Sequence, residues 1–336
     1  MKLKPIEQQV VAVVGASSGI GRETALQFAK RGAKLVVAAR SESGLTSLVK
    51  EIEQFGSEAI AVRADVADFE QVKSIADKTI ERFGRLDTWV HAAGTGLLAP
   101  FEQITPEEFK RVIDVNLMGS VYGAMVAMPH LRQTGRGAFI AISSVEARRS
   151  MPLQAPYSAS KHGMEGWLDS LRSELRHEGF PISITNILPS VINTPFYNKA
   201  RTKLGVMPTG IPPYYQPSIV AEAILHAAEY PARDIIVGDV GRIIDFVQKI
   251  VPDLTDTLVG AIAIPGQRTN KIKAVDDPNN LFEPIEGYNT VAGDFSDKTI
   301  PSFLDWFDLH PALKWTTAAG LSAIALVAAN LFKDME

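Results

Sequence analysis

The chain has 336 residues, 46% of them hydrophobic, which is enough for one large α/β domain plus an extension. It contains no cysteine, which excludes a disulfide framework and any cysteine-built metal or redox centre. A net charge of −4 without a long basic tract argues against nucleic acid, and six scattered histidines show no metal-ligand spacing.

Residues 1–5 lack the apolar segment of a signal peptide. Residues 10–14 (VVAVV) form an apolar run that reads as a buried parallel strand. Gly15, Ser17, Ser18, Gly19, Ile20 and Gly21 follow in a glycine-rich turn, and an amphipathic helix follows over residues 22–31. Strand, turn and helix in this order aim backbone N–H groups and a helix N-terminus at a dinucleotide pyrophosphate. Gly15 suits the tight turn and Gly21 the close helix packing.

The second strand, residues 34–39, ends at Ala39 and is followed by Arg40. An acidic residue there would bind the ribose 2′-OH of NAD; a guanidinium suits a 2′-phosphate. The expectation is NADP(H) in preference to NAD(H), with Arg22 adding positive charge. The competing reading is that Arg40 is a solvated loop residue and both cofactors bind. Residues 59–64 give a third strand ending at Asp65 and Val66, and residues 86–90 a fourth that leads into His91, Ala92, Ala93 and Gly94. His91 reads as a packed strand-end residue rather than a base. A fifth strand spans residues 137–143. Beyond it, Tyr157 and Lys161 stand in i, i+4 relation and share one helix face. A close ammonium favours the phenolate. Bringing a phenol from ~10 to about 7 takes about 4 kcal/mol, a task for the lysine together with a nicotinamide cation. Residues 182–188 give a sixth strand, and residues 234–238 the final one. Alternating strands and helices predict a Rossmann-like doubly wound parallel sheet with helices on both faces, plus a mostly helical or irregular C-terminal extension.

The glycine turn, Ser144, Tyr157 and Lys161 in this order resemble the classical short-chain dehydrogenase/reductase family over roughly residues 8–240. The resemblance implies a catalytic set of Asn116, Ser144, Tyr157 and Lys161. In it Ser144, chosen over Ser143 by family spacing, polarises the substrate carbonyl, and Asn116 holds a water that links Lys161 to solvent. A simpler role for Asn116 is to bend its helix by binding backbone. The resemblance also implies that Asp65 and Val66 meet the adenine, that Ala93 and Gly94 allow close backbone approach, and that Tyr157 and Lys161 touch the cofactor. Pro189 is implied at the cofactor, and the Ile192 backbone and Thr194 are implied to grip the carboxamide. His91 and Ala92 replace the family's paired asparagines, and Ser190 a glycine. Residues 196–216, with Pro208, Pro212, Pro213, Tyr214 and Tyr215, read as a lid over the cleft, where the family commonly has one, against the alternative of a plain connecting loop; a homodimer or homotetramer is expected.

Substrate candidates are Leu97, Leu98, Phe101, Glu146, Arg148, Phe196 and Tyr197, a mostly apolar set; the alternative for Glu146 and Arg148 is that they are surface charges. The resulting expectation is an NADP(H)-dependent oxidoreductase acting on CH–OH groups of a hydrophobic ketone or aldehyde and its alcohol. A non-catalytic dinucleotide-binding scaffold or redox sensor at a membrane is the alternative, and the intact catalytic set argues against it.

The predicted organisation is a catalytic domain over residues 1–240, an extension over 241–311 and an apolar helix over 312–336. Residues 241–264 carry a helical apolar stripe interrupted near Pro252, expected to pack on the core or a second subunit. Residues 265–311 read as a turn-rich connector. Residues 315–332 carry no charge and lie between Lys314 and Lys333. That length is at the short end of the range of about 17–25 residues for a spanning helix. The expectation is a membrane anchor with the catalytic domain facing the cytoplasm; an Ala-rich helix docked on protein is the alternative. If the segment inserts, the full chain should fractionate with membranes and resist alkaline extraction. Deleting residues 312–336 should then give a soluble, active protein. A full chain that stays soluble without detergent would favour docking.

Overall fold

The computed structural model describes residues 2–302; the expected anchor at 315–332 lies outside the described residues. Strand β1 (Val10–Val14) is buried along its whole length and turns through Gly15 into α1 (Gly19–Lys30). Then follow β2 (Lys34–Ala39), α2 (Glu42–Gln54), β3 (Ala59–Arg63), α3 (Phe69–Phe83), β4 (Thr88–His91) and a short β5 (Leu97–Leu98). Helices α4 (Pro106–Ile113) and α5 (Gly119–Thr134) are joined without a break by a π-helical turn at Asp114–Met118. After β6 (Gly137–Ile142) come α6 (Ala155–Glu178), β7 (Ile182–Pro189) and the short α7 (Phe196–Lys199). Two short strands, β8 (Arg201–Thr202) and β9 (Val206–Pro208), precede α8 (Pro217–Glu229) and β10 (Asp234–Val237). The chain continues through α9 (Asp239–Ile250), α10 (Pro252–Gly266) and β11 (Arg268–Ile272).

Seven strands form one parallel sheet in the order β10-β7-β6-β4-β1-β2-β3. The predicted doubly wound α/β fold is therefore present. Side chains alternate across the sheet, so Val11 and Val13 face one helical layer and Ala12 and Val14 the other. The first layer buries Phe28 of α1, Leu45, Leu48 and Ile52 of α2 and Ile224 of α8. The second buries Ile75 of α3, Leu131 of α5 and Met164 and Leu168 of α6. Near-continuous apolar strands are what a sheet covered on both faces requires. The strand order reverses between β1 and β4, and ligands of such sheets lie at this point, outside the carboxyl ends of the strands.

Two glycines fix that geometry. Gly15 has φ +88°, and a Cβ there would lie 2.4 Å from the Ala93 backbone N. A Cβ on Gly21 would lie 2.3 Å from the Gly15 carbonyl oxygen. The turn therefore rests directly on the end of β4. That end is braced without the family's asparagines: α5 approaches at Gly123, where a Cβ would meet His91 Nδ1 at 2.8 Å and Trp89 Nε1 at 2.9 Å.

Among the described residues, the run Pro106–Thr134 has the length and hydropathy of a membrane span, but half of its most apolar window is buried, much of it against the sheet. The C-terminal extension narrows the expectation in two ways. Of the two expected places for its apolar stripe, the core is not the one: Ile243, Phe246, Ile250, Leu258 and Ile262 of α9 and α10 are all exposed, which leaves the second-subunit alternative standing. And residues 274–300 are more than a connector. They return across the carboxyl ends of the strands as a strap. The strap buries Leu281 against Leu97, Ala99 and Val112, and stacks Phe295 on Tyr214 with ring centroids 4.3 Å apart.

Candidate active site

A cleft of about 650 Å³ opens at the strand-order reversal. Every residue expected at the cofactor lines it: the glycine turn from Gly15 to Gly21 (apart from Ala16), Arg40, Asp65, Val66, Ala93, Gly94, Tyr157, Lys161, Pro189, Ile192 and Thr194. Ser144 lines it too, and Asn116 does not.

Tyr157 and Lys161 share one face near the start of α6, as their spacing predicts. The phenol ring packs edge-on to Phe196 at 5.7 Å. Lys161 Nζ donates to the Ile142 carbonyl at 2.8 Å and stands 5.5 Å from the Tyr157 ring centroid. Burial draws this lysine down to about 8, with Glu146 acting in the opposite sense. Burial pushes the Tyr157 phenol up and Glu146 adds to that, while the Ser144 hydroxyl pulls it down. The expected depression of the phenol by its lysine neighbour is therefore not provided by the protein's own groups. Desolvation and then Glu146 dominate the phenol, and the ammonium is committed to a backbone carbonyl.

Glu146 is the group whose position the sequence left most open. It is buried beside Ser144, Tyr157 and Lys161. Its N–H donates to Ser144 Oγ at 3.1 Å, and its carboxylate accepts from Ser158 Oγ at 2.9 Å. Burial raises it to about 7, against the pull of Ser158, Met151 N–H, Lys161 and Gln154. Arg148, paired with it in the sequence reading, instead bonds Glu165 at 2.9 Å and Asp234 at 3.2 Å, outside the cleft. Leu97 and Leu98 are buried in satellite clusters and Phe101 is exposed, so none of the three lines the cleft. Phe196 and Tyr197 do line it.

Asn116 acts on backbone. Its Oδ1 accepts from Thr95 N at 2.8 Å, and its Nδ2 donates to Thr95 O at 3.0 Å and Ser160 Oγ at 3.2 Å. It thus staples the loop after β4 to the π-helical turn and to α6, which is closer to the simpler reading of this residue. His91 is fully buried, has no hydrogen-bond partner among the described residues, and is held near 3 by burial and then by Lys161. It is the packed strand-end residue expected.

At the other end of the cleft, Arg40 donates to the strap carbonyls of Asn280 (2.5 Å) and Phe282 (2.9 Å) and lies 3.9 Å from Asp65. Asp65 is itself paired with Arg111 at 2.6 Å. Arg22 does not face the cleft. Its guanidinium bonds Glu51 at 2.7 Å, Ser47 and the Gly44 carbonyl, tying α1 to α2. Ser190 donates to the Gly238 carbonyl and accepts the Gly241 N–H, so it anchors the start of α9.

The lid expected over residues 196–216 is in place: Phe196, Tyr197 and residues 210–213 line the cleft, and β9 is held by antiparallel pairing to β11. Ile243, Ile244, Val247, Leu258 and Ile262 of α9 and α10 also wall the cleft.

A family model described as short chain dehydrogenase matches residues 9–205. The chain belongs to the short-chain dehydrogenase/reductase family. It is therefore an oxidoreductase. The chain is similar to the protein named "Uncharacterized oxidoreductase YxnA" of Bacillus subtilis (strain 168), 40% identical with 84% of this chain and 80% of that protein covered. It is also similar to 11-beta-hydroxysteroid dehydrogenase-like 2 of Arabidopsis thaliana, 33% identical, covering 76% and 82%. Among solved structures, an alcohol dehydrogenase from Thermococcus sibiricus complexed with 5-hydroxy-NADP superposes with TM-score 0.61 at 26% identity, covering 68% of this chain and 95% of that one. A short chain dehydrogenase from Mycobacterium paratuberculosis bound to NAD gives TM-score 0.62 at 25% identity, covering 70% and 97%.

Glu146 yields a pH prediction. Its pKa in the fold, about 7, lies above the ordinary 4.5. Its contribution to stability is therefore fully present below about pH 4.5 and is lost as pH rises through 7. The loss should total roughly 3 kcal/mol by pH 8. Thermal melts of Glu146→Gln should lack this decline, and the two proteins should diverge progressively between pH 5 and 8. Parallel curves would mean Glu146 is not buried as a titrating group.

Proposed function

We propose that the protein is an NADP(H)-dependent short-chain oxidoreductase that interconverts a hydrophobic ketone or aldehyde and its alcohol. The observation that carries this reading is one continuous cleft. The glycine turn and Arg40 line it together with Ser144, Tyr157 and Lys161 and the aliphatic wall of α9 and α10. The residues fit a dinucleotide: Ser18 makes no capping bond to α1, so beyond Gly19, whose N–H bonds Thr290 O, the helix start suits an anion, and a guanidinium lies past the end of β2.

A bound nicotinamide dinucleotide supplies or accepts the hydride. The chain's own residues handle the proton and the orientation. The Ser144 hydroxyl donates a hydrogen bond to the substrate oxygen. Tyr157 gives that oxygen a proton in reduction and takes it back in oxidation. With burial and Glu146 both holding the phenol protonated, the resting site is a proton donor, the state reduction needs. The Lys161 charge, retained below about pH 8, favours the phenolate left behind. Ile243, Val247, Leu258 and Ile262 favour an apolar substrate body by excluding water from it.

The preference for NADP(H) rests on Arg40, and a homodimer or homotetramer is proposed from the family resemblance alone. Tyr157→Phe should lower turnover by about 10²–10⁴-fold, the usual worth of a positioned acid or base, while NADPH affinity changes little. Near-normal turnover would remove Tyr157 from the mechanism. Arg40→Ala should raise the KM for NADPH about tenfold more than that for NADH. Equal effects, or an unmodified enzyme that prefers NADH, would overturn the cofactor preference.

A further inference from the structure

Lys199 closes α7, within the expected lid, and its side chain turns inward: the residue is 7% exposed and lines the cleft. Its Nζ donates to Ser18 Oγ in the glycine turn at 3.1 Å, the one hydrogen-bond partner it has among the described residues. An ammonium carries three donors, so two are unspent. The other two buried lysines among the described residues donate to backbone carbonyls elsewhere. Lys273 Nζ bonds Asn198 O at 2.8 Å and Ala200 O at 2.9 Å, and Lys161 bonds Ile142 O. Neither of those sits against the turn.

The surroundings of Lys199 are those of a cation without its anion. Burial weakens it first, and Arg40 and Arg22 repel it, while Glu286 of the strap attracts it, leaving it at about 8. The strap fixes its position, since Asn280 N donates to the Lys199 carbonyl at 2.8 Å. Beside it, Ser18 makes no capping bond to the first turn of the 12-residue helix α1. Thr290 O of the strap accepts the Gly19 N–H, and Ile20 and Gly21 line the cleft next to it. An uncapped helix start and a buried ammonium with unspent donors therefore converge on one point, and both favour an anion there.

We propose that Lys199 binds the bridging diphosphate of the dinucleotide, closing from the lid side an anion site that the glycine turn opens from the sheet side. The proposal rests on the dinucleotide reading of the cleft. It divides the two phosphate-binding tasks: Arg40 beyond β2 serves the 2′-phosphate, and Lys199 at Ser18 serves the diphosphate shared by both cofactors. It also makes the lid part of the cofactor site.

The test is equilibrium binding to the full chain, measured by calorimetry with four probes: NADPH, NADH, ADP-ribose and adenosine 2′-monophosphate. Lys199→Met should weaken NADPH, NADH and ADP-ribose by a common factor of about ten to a hundred, the worth of one or two charge-assisted hydrogen bonds. It should leave adenosine 2′-monophosphate unchanged. Arg40→Ala should give the complementary pattern, losing affinity for NADPH and adenosine 2′-monophosphate alone. Lys199→Arg should recover part of the loss, and Lys199→Gln should repeat the methionine result if the methionine variant folds poorly. Unchanged NADH and ADP-ribose affinity in both neutral variants would overturn the proposal, as would a loss confined to the two probes with a 2′-phosphate. An unmodified chain that binds none of the four overturns the dinucleotide reading itself, an outcome distinct from normal binding that Lys199 variants fail to weaken.

Discussion

The contact between the glycine turn and the end of β4 is the constraint on which the cleft depends. A Cβ at Gly15 would sit 2.4 Å from the Ala93 nitrogen, a separation no side chain tolerates. Because the position is bare, the turn lies flat on the sheet and α1 starts directly above the point where strand order reverses. The remaining walls take their places from that: β2 delivers Arg40 to one side, and β6 and β7 deliver Ser144 and Thr194 to the other. The replacement of paired asparagines by His91 and Ala92 leaves this intact, because bracing comes from packing at Gly123 instead of side-chain hydrogen bonds.

Three ionisable groups, Glu146, Tyr157 and Lys161, share one desolvated space, and their balance sets the proton chemistry. Burial disfavours each charge: the carboxyl and the phenol rise, and the ammonium falls to about 8. Mutual attraction between Glu146 and Lys161 offsets part of this, and Tyr157 bears the cost of a nearby carboxylate. The phenol is thus kept protonated by its own surroundings, and whatever lowers it during a reaction cycle must act against Glu146 as well as against burial.

The sheet was readable because buried parallel strands are continuous apolar runs, and the expected and observed limits of β1 and β2 coincide. Tyr157, Lys161 and Ser144 were readable because their chemistry depends on short spacings within or beside one helix. Arg22 was misread as a cofactor charge because its partner Glu51 lies on the next helix, 29 positions along, where no local pattern reveals it. Glu146 was ambiguous because a charged residue beside a serine looks the same in sequence whether it is solvated or buried. Lys199 and the strap were missed for a related reason. The strap's anchoring groups on Arg40 and Gly19 are backbone carbonyls of Asn280, Phe282 and Thr290, and a carbonyl leaves no signature in the residue names. The apolar stripe of α9 and α10 was visible, but periodicity reports that a face is apolar and not what it faces; this one borders the cleft.

The strap is fastened at both ends of the cleft by separate sets of bonds. Arg40, Arg111 and Thr95 hold residues 280–282, and Asn193 holds residues 293–296. Between them the chain is held by a backbone bond from Gly19 to Thr290 and by Glu286 and Asn289, which both bond Ser43. It is a belt with two separate buckles. A molecule lying lengthwise beneath it exchanges at the rate of local opening rather than of free diffusion. For a dinucleotide bound as proposed, residence would then depend on the loop-rich C-terminal extension as well as on the sheet.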